Sequence, residues 1–479
     1  FDWMEIEKQR GISVTSSALQ FEYNGYKINI LDTPGHQDFS EDTYRTLMAA
    51  DSAVMLIDVA KGVEAQTIKL FKVCKQRGIP VFTFINKLDR NGKSPFELME
   101  EIEKVLGIVS YPMNWPIGID GEYQGVYNRE QAQIELFQND GSHGQWALQS
   151  TAGSAADPAF TQILGEDIHK ALCDDIELLD TAGEQFDLAK VLGGELTPMF
   201  FGSAMTNFGV KPFLEEYLRL APAPAPRKAD SGEVQPDAED FSAFVFKIQA
   251  NMNPAHRDRL AFIRICSGVF NRGMTVHHVQ TGKPIKLAQP QQFLAQDREM
   301  VETAYPGDII GLFDPGVFAI GDTLCSEKNK LKFEEFPVFP PEQFARVQPV
   351  DTMRRKQFMK GITQLTQEGA VQLFKQPDSG FESFIVGVVG TLQFDVLRYR
   401  LQGEYGVDIQ LQNLNYVMAR WLVGDGITAK SKIDLQGDLL LEDVQGRPVA
   451  LFRSEWAFRY VVEKNPKVQF LAAPPREVG

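Results

Sequence analysis

An acid, a hydroxyl, a proline, a glycine and an imidazole follow one another at Asp32, Thr33, Pro34, Gly35 and His36, directly after the run Ile28-Asn29-Ile30-Leu31. Strand-forming residues that run into proline and glycine predict a buried strand ending in a tight, exposed turn. A carboxylate at such a turn can order the waters of a Mg²⁺ ion, and a glycine lets a backbone N–H approach a terminal phosphate closely. A lone D-x-x-G says little without its context. The context is a second run, in which the apolar strand Val81 to Ile85 ends in Asn86, Lys87, Leu88 and Asp89. The Asp89 carboxylate can accept two hydrogen bonds from the edge of a guanine, the Lys87 stem can pack along the base, and the Asn86 amide can tie loops together. Adenine lacks the matching donors. The expectation is one shared pocket that reads a guanine through one turn and a third phosphate through the other.

A third loop is expected to complete the base end. Ser203-Ala204 closes the apolar strand Thr197 to Phe201, and its backbone N–H groups are assigned to the guanine oxygen. Ahead of the first turn, Gly11 to Ser17 is dense in hydroxyls that cap, turn or bind a metal. Ser13 follows an Arg10-Gly11-Ile12 run that resembles the first switch of a translational GTPase, which implies a Mg²⁺ ligand there beside Asp32, with a polar strand edge as the alternative. The elements that must hold these residues follow from the pattern around them. Ala18 to Tyr23 and Tyr26 to Ile30 flank Asn24-Gly25, a strong hairpin signal that presents Asp32. A helix follows from the acids at Ser40-Glu41-Asp42, then a strand Ala53 to Asp58, then a helix Gly62 to Gln76 leading into the base-reading strand. Strands alternating with helices imply an α/β domain with a mostly parallel sheet and ligands at the strands' carboxyl ends.

The chain has 479 residues, 43% of them hydrophobic, so several domains with sizeable cores are expected. The formal net charge of −16 argues against a generic nucleic-acid binder, and no DNA partner is expected; a ribosome remains open, because binding depends on local patches. Cys74, Cys173, Cys266 and Cys325 lie far apart, which fits a reducing, cytoplasmic setting. No apolar run approaches the roughly 18 residues that a bilayer span needs, so no membrane partner is expected.

The expected domains are a GTPase-like domain over 1–222 with an insertion at about 115–195, a linker over 223–240, a β-barrel over 241–336, and an α+β domain over 337–479. The insertion carries no assigned chemistry, and His143 and His169 read as surface histidines. The linker begins with Ala221-Pro222-Ala223-Pro224-Ala225-Pro226 and continues as a polar run. Beyond it, short alternating strands with turn signals at Asn271-Arg272-Gly273, Pro306-Gly307-Asp308 and Ile320-Gly321-Asp322 suggest the barrel. His277 and His278 would face opposite sides of a strand, which favours a structural role. After Phe336 to Pro341, two helices alternate with strands, and Arg354, Arg355, Lys356, Lys360, Arg398, Arg400 and Arg420 are either an RNA-facing patch or solvated faces.

The motifs together resemble a known family. Arg10-Gly11-Ile12-Ser13, Asp32 to His36, Asn86 to Asp89 and Ser203-Ala204 look like four of the guanine-nucleotide motifs of translational GTPases of the elongation-factor-G-like group. Ser13 stands where that group has threonine. Phe244 to Met252 with Pro254 and His256 to Arg259, Ala304 to Asp308, and Gly390-Thr391-Leu392-Gln393-Phe394-Asp395 narrow the likeness to the bacterial peptide-chain release factor 3 family. The resemblance implies a P-loop-type α/β GTPase domain, GTP or GDP with Mg²⁺, the ribosome and class-1 release factors as partners, and a monomer. It also implies that His36 positions the attacking water when the sarcin–ricin loop of ribosomal RNA approaches. The alternatives are an elongation-factor-G-like translocase or ribosome-protection GTPase, and a ribosome-binding module that does not hydrolyse. No G-x-x-x-x-G-K-[ST] loop occurs in the sequence. With no initiator Met, an N-terminal truncation is expected, and with it weak nucleotide binding and an exposed sheet interior.

Overall fold

The computed structural model describes residues 4–119, 122–137, 149–252, 258–294, 297–377, 379 and 384–475. His143 with the loop at 140–144, and Pro254, His256 and Arg257, lie outside the described residues. The chain divides into two compact units, residues 50–223 and residues 1–49 with 224–479.

In the second of these, the chain opens with α1 (Glu5–Arg10) and a hairpin of β1 (Ser17–Tyr23) and β2 (Tyr26–Asp32). Asn24 and Gly25 take φ of +48° and +78°, the left-handed conformations that a two-residue hairpin turn demands. The register pairs Ser17 with Asp32, so Asp32 ends its strand as expected. The hairpin forms a two-stranded sheet of its own. Gln20 and Asn29 both donate to Asp308 Oδ1 at 3.1 Å, fastening it to the Pro306-Gly307-Asp308 turn. Helix α2 (Ser40–Ala49) follows.

The unit of residues 50–223 holds β3 (Ala53–Asp58), α3 (Ala65–Gln76), β4 (Val81–Asn86), α4 (Pro95–Leu106) and β5 (Val109–Pro112). Helix α3 starts three residues later than Gly62, because Gly62 has φ +71° and its N–H returns to Asp58 O, a turn rather than a helix. The expected insertion is built from an antiparallel sheet, β6 (Asn114–Ile119), β7 (Glu122–Asn128), β8 (Gln133–Leu136) and β9 (Gln149–Ala152), followed by α5 (Ala159–Leu164), α6 (Glu166–Ala182) and α7 (Leu188–Leu192). Then come β10 (Leu196–Phe201) and α8 (Val210–Leu220). Strands β3, β4, β10 and β5 lie in that order as a parallel sheet. Phe82, Phe84, Leu196 and Phe200 form its core with Phe213 and Tyr217 of α8, which explains the unbroken apolar runs. Strand β3 is an edge, with Val54 and Leu56 exposed. His169 is not a surface residue: it is buried, with Nε2 2.7 Å from Ala155 O and Nδ1 2.6 Å from Thr161 Oγ1. It replaces an apolar residue on the inner face of α6 because both ring nitrogens find partners.

The polar run read as linker carries a small hairpin, β11 (Arg227–Ala229) and β12 (Gly232–Val234), whose Ala229 and Val234 are buried against Phe244, Phe246 and Phe333. Strands β13 (Ser242–Ala250) and β14 (Arg259–Ser267) then centre an eight-stranded antiparallel, barrel-like sheet. Both are buried along their whole length. Ala243, Val245, Ala261, Ile263 and Ile265 face one core, and Phe244, Phe246, Leu260 and Phe262 face another. His278 bonds Asp322 and Thr281, while His277 lies 3.6 Å from Glu327.

The C-terminal part is a second eight-stranded antiparallel sheet carrying α9 (Arg355–Gln367), α10 (Leu392–Tyr405) and α11 (Glu455–Lys464). Phe358, Ile362 and Leu365 of α9 and Leu397 and Leu401 of α10 pack on Ala345, Val347 and Val386 of the sheet. Arg400 does not belong to any basic surface: it is buried between Glu368 and Glu404. A guanidinium three residues from Leu397 on α10 points inward, and only this double pairing makes its burial tolerable. Among the described residues no helix is long and apolar enough to cross a membrane.

Candidate guanine-nucleotide site

The residues expected to read the base sit at the carboxyl ends of neighbouring parallel strands. Asp58 closes β3, Asn86 closes β4 directly beside it in register, and Ser203 follows β10. Lys87 takes φ +69°, a left-handed turn at a residue with a side chain, of the kind kept where the surroundings fix it. Leu88 is buried and its N–H donates to Gly202 O at 3.0 Å, which ties the Asn86–Asp89 turn to the Ser203 loop. Two side-chain bonds tighten the tie: Ser203 Oγ donates to Asp89 Oδ1 at 2.5 Å, and the Ala204 N–H donates to Asn86 Oδ1 at 2.9 Å. The Ser203 N–H donates to Phe208 O. The Ser203 and Ala204 N–H groups, expected at the guanine oxygen, bond inside the protein instead, and the loop is tied to Asp89 and Asn86.

Sequence reasoning passed over Asp58. Its Oδ2 accepts from Lys87 Nζ at 2.8 Å, fixing the lysine stem that the base would lie along. Burial works to raise the Asp58 carboxyl, but the Lys87 ammonium and the Ala60 and Lys61 N–H groups outweigh it, so its pKa lies below the usual value. The legible signal was an acid ending a strand, as Asp32 does. Gly202 has its own reason: a Cβ there would meet Phe208 O at 2.6 Å and the Phe84 ring.

The residues expected to sense the phosphate lie in the other unit. Asp32 ends β2, and Thr33, Pro34 and Gly35 form the turn after it. Thr43 of α2 donates from Oγ1 to Pro34 O at 3.0 Å, which pins the turn to the helix that follows. His36 opens the short turn Gln37–Phe39, its Nδ1 accepting the Asp38 N–H at 3.2 Å, with 38% of its side chain exposed. An acceptor role for Nδ1 corresponds to the Nε2–H tautomer. Ser13 precedes a tethered stretch: Val14 N–H donates to Glu7, Thr15 accepts from Lys247 Nζ at 2.6 Å, and Ser16 donates through N–H and Oγ to Asp42 at 2.5 and 2.7 Å.

Those bonds belong to a buried charge cluster around a cavity of about 50 Å³ lined by Thr15, Asp42, Arg45, Lys247, Glu368 and Arg400, among others. Burial lowers the Lys247 ammonium, opposed by Asp42 and Glu368. Burial would raise Asp42, yet Lys247, Arg45 and Ser16 bring it below the usual carboxylate value. Glu41, beside it, is raised by burial despite Arg45.

Three stretches match described families: residues 1–223 the elongation factor Tu GTP-binding domain, 240–327 elongation factor G domain 2, and 333–462 the class II release factor RF3 C-terminal domain. A guanine-nucleotide domain joined to a translation-factor barrel defines a translational GTPase. Its relatives are more specific. The chain is 58% identical over 471 residues to peptide chain release factor 3 of Symbiobacterium thermophilum, covering 98% of this chain and 89% of that one. It is 53% identical to the Listeria monocytogenes serovar 1/2a protein of the same name, covering 98% and 88%, and 51% identical to that of Gloeothece citriformis, covering 99% and 87%. A solved structure from Thermus thermophilus shares the fold with a TM-score of 0.69 at 19% identity, covering 89% of this chain and 64% of that one. The chain belongs to the peptide chain release factor 3 family, cytoplasmic translation factors that hydrolyse GTP and recycle class-1 release factors in termination. The GTP-binding match runs from residue 1, and it gives no support to the expected impairment of nucleotide binding.

Proposed function

We propose that Asp32 to His36 and Asn86 to Asp89, with Ser203 and Ala204, act on one GTP molecule during the ribosome-bound step of termination. Asp89 accepts the guanine N1–H and amino group, Lys87 lies along the base under the hold of Asp58, and Asn86 and Ser203 keep the Asp89 turn in place. The bond network that joins Asp89, Ser203, Asn86 and Ala204 is the observation that carries this reading, because it gives a specificity carboxylate a fixed direction. Asp32 and Ser13 supply hard oxygen donors, and no group of three or more His, Cys, Asp or Glu residues fit to hold a metal occurs among the described residues. That donor set fits Mg²⁺, which keeps most of its waters and binds through few protein ligands plus phosphate oxygens. When bound, Mg²⁺ neutralises charge on the phosphates. Gly35 leaves room for a backbone N–H beside the terminal phosphate. His36, 38% exposed, orients the attacking water when the sarcin–ricin loop of the ribosome closes over it.

We further propose that the protein works as a monomer without DNA or membrane partners, with the domain limits at about 222, 240 and 336. The test is ribosome-stimulated phosphate release by His36→Ala. The expected result is loss of turnover with guanine-nucleotide affinity retained. Turnover at the parent rate would remove His36 from the mechanism.

A further inference from the structure

The turn after His36 is anchored far along the chain. Asp38, whose N–H donates to His36 Nδ1, uses its carboxylate to accept the Leu392 N–H at 2.9 Å, 354 positions later. Leu392 begins α10, and its N–H is one of the first-turn donors that have no partner within a helix. A carboxylate there gains both the bond and the favourable end of the helix dipole. Gly390 makes the approach possible, since a Cβ at that position would overlap the Asp38 carboxylate. The Asp38 side chain is accordingly 11% exposed, against 38% for His36. The same helix receives more of the N-terminal segment. Arg10 pairs with Asp395 at 3.0 Å, and Leu392, Val396 and Tyr399 pack against Met4, Ile6, Val14 and Phe39. The stretch Gly390-Thr391-Leu392 is thus shaped to receive a residue two positions from the histidine.

We propose that Asp38 is a positioning residue for GTP hydrolysis: by capping α10 it fixes the turn that orients the His36 ring, and so makes turnover depend on the Gly390–Leu392 stretch. The inference rests on His36 as the residue that meets the water. Its test compares Asp38→Ala, Asp38→Asn and Gly390→Ala in ribosome-stimulated GTP hydrolysis and in fluorescent GDP titration. Asp38→Ala and Gly390→Ala are expected to lower kcat about tenfold, with GDP affinity and the KM for ribosomes unchanged. Asp38→Asn, whose amide oxygen still accepts the Leu392 N–H, should keep most of the activity. The Asp38→Ala/Gly390→Ala double variant should be no slower than either single one. Nitrogen-15 spectra of labelled histidine should show the Nε2–H tautomer of His36 in the parent protein and a mixture in Gly390→Ala, a readout that global stability does not move. Parent-like kcat and tautomer in Gly390→Ala would overturn the inference, as would additive losses. Should Asp38→Ala not fold, Gly390→Ala and Asp38→Asn still decide. An inactive His36→Ala beside a fully active Gly390→Ala sinks this proposal alone, whereas an active His36→Ala sinks the reading of the site and this proposal with it.

Discussion

Replacing Asp89 with asparagine tests the base end of the site through a change of one atom type. Ser203 Oγ holds Asp89 Oδ1 at 2.5 Å, so in Asp89→Asn the hydroxyl keeps the amide oxygen and turns the NH₂ group toward the base. The amide oxygen held by Ser203 can still accept one guanine N–H, but the second bond is lost and the NH₂ faces a donor, at about 1.5–3 kcal/mol for a hydrogen bond to a charged group. That is roughly 10- to 10²-fold in GDP affinity. Xanthine presents a carbonyl where guanine has its amino group, and the turned NH₂ can donate to it. Asp89→Asn should therefore bind xanthosine diphosphate more tightly than guanosine diphosphate, measured by displacement of a fluorescent nucleotide. A variant that still bound GDP within about threefold of the parent, with no preference for xanthosine diphosphate, would refute the assignment of Asp89.

Two further predictions concern the buried charges beside the Ser13 segment. Lys247→Met leaves Asp42 without its ammonium neighbour, and breaking a buried pair in this way should cost about 3 kcal/mol or more of stability. Thermal unfolding should show the loss, with partial recovery in the Lys247→Met/Asp42→Asn double variant. Glu41 has its pKa raised above 4.5 by burial, so its contribution is fully present below 4.5 and is lost as the pH rises through the folded-state value. Glu41→Gln should accordingly raise the unfolding temperature at pH 7 and give no gain at pH 4, and an equal gain at both would show that ionisation is not the cause.

The motif residues were legible because each ends an element whose pattern is local. Asp32 closes a hairpin marked by Asn24-Gly25, and Asn86 closes an unbroken apolar strand, so type and spacing announce both turns. The helices over 355–367 and 392–405 and the alternating strands of the barrel were legible for the same reason. His169 and Arg400 were misread because polarity suggests solvent, whereas each finds its partners inside: Ala155 and Thr161 for one, Glu368 and Glu404 for the other. The antiparallel sheet over 114–152 escaped notice because its strands are short and only partly alternating.

Local chemistry in the chain itself marks which residues are candidates to recognise a guanine, a phosphate and a metal, since those abilities reside in side-chain types at fixed short spacing. Long-range contact alone decided which partners hold them: Asp58 under Lys87, Ser203 against Asp89, and the Leu392 N–H on Asp38, the last 354 positions away. A hydrogen bond forms between atoms about 3 Å apart whatever their separation in sequence, so only the folded chain can specify it.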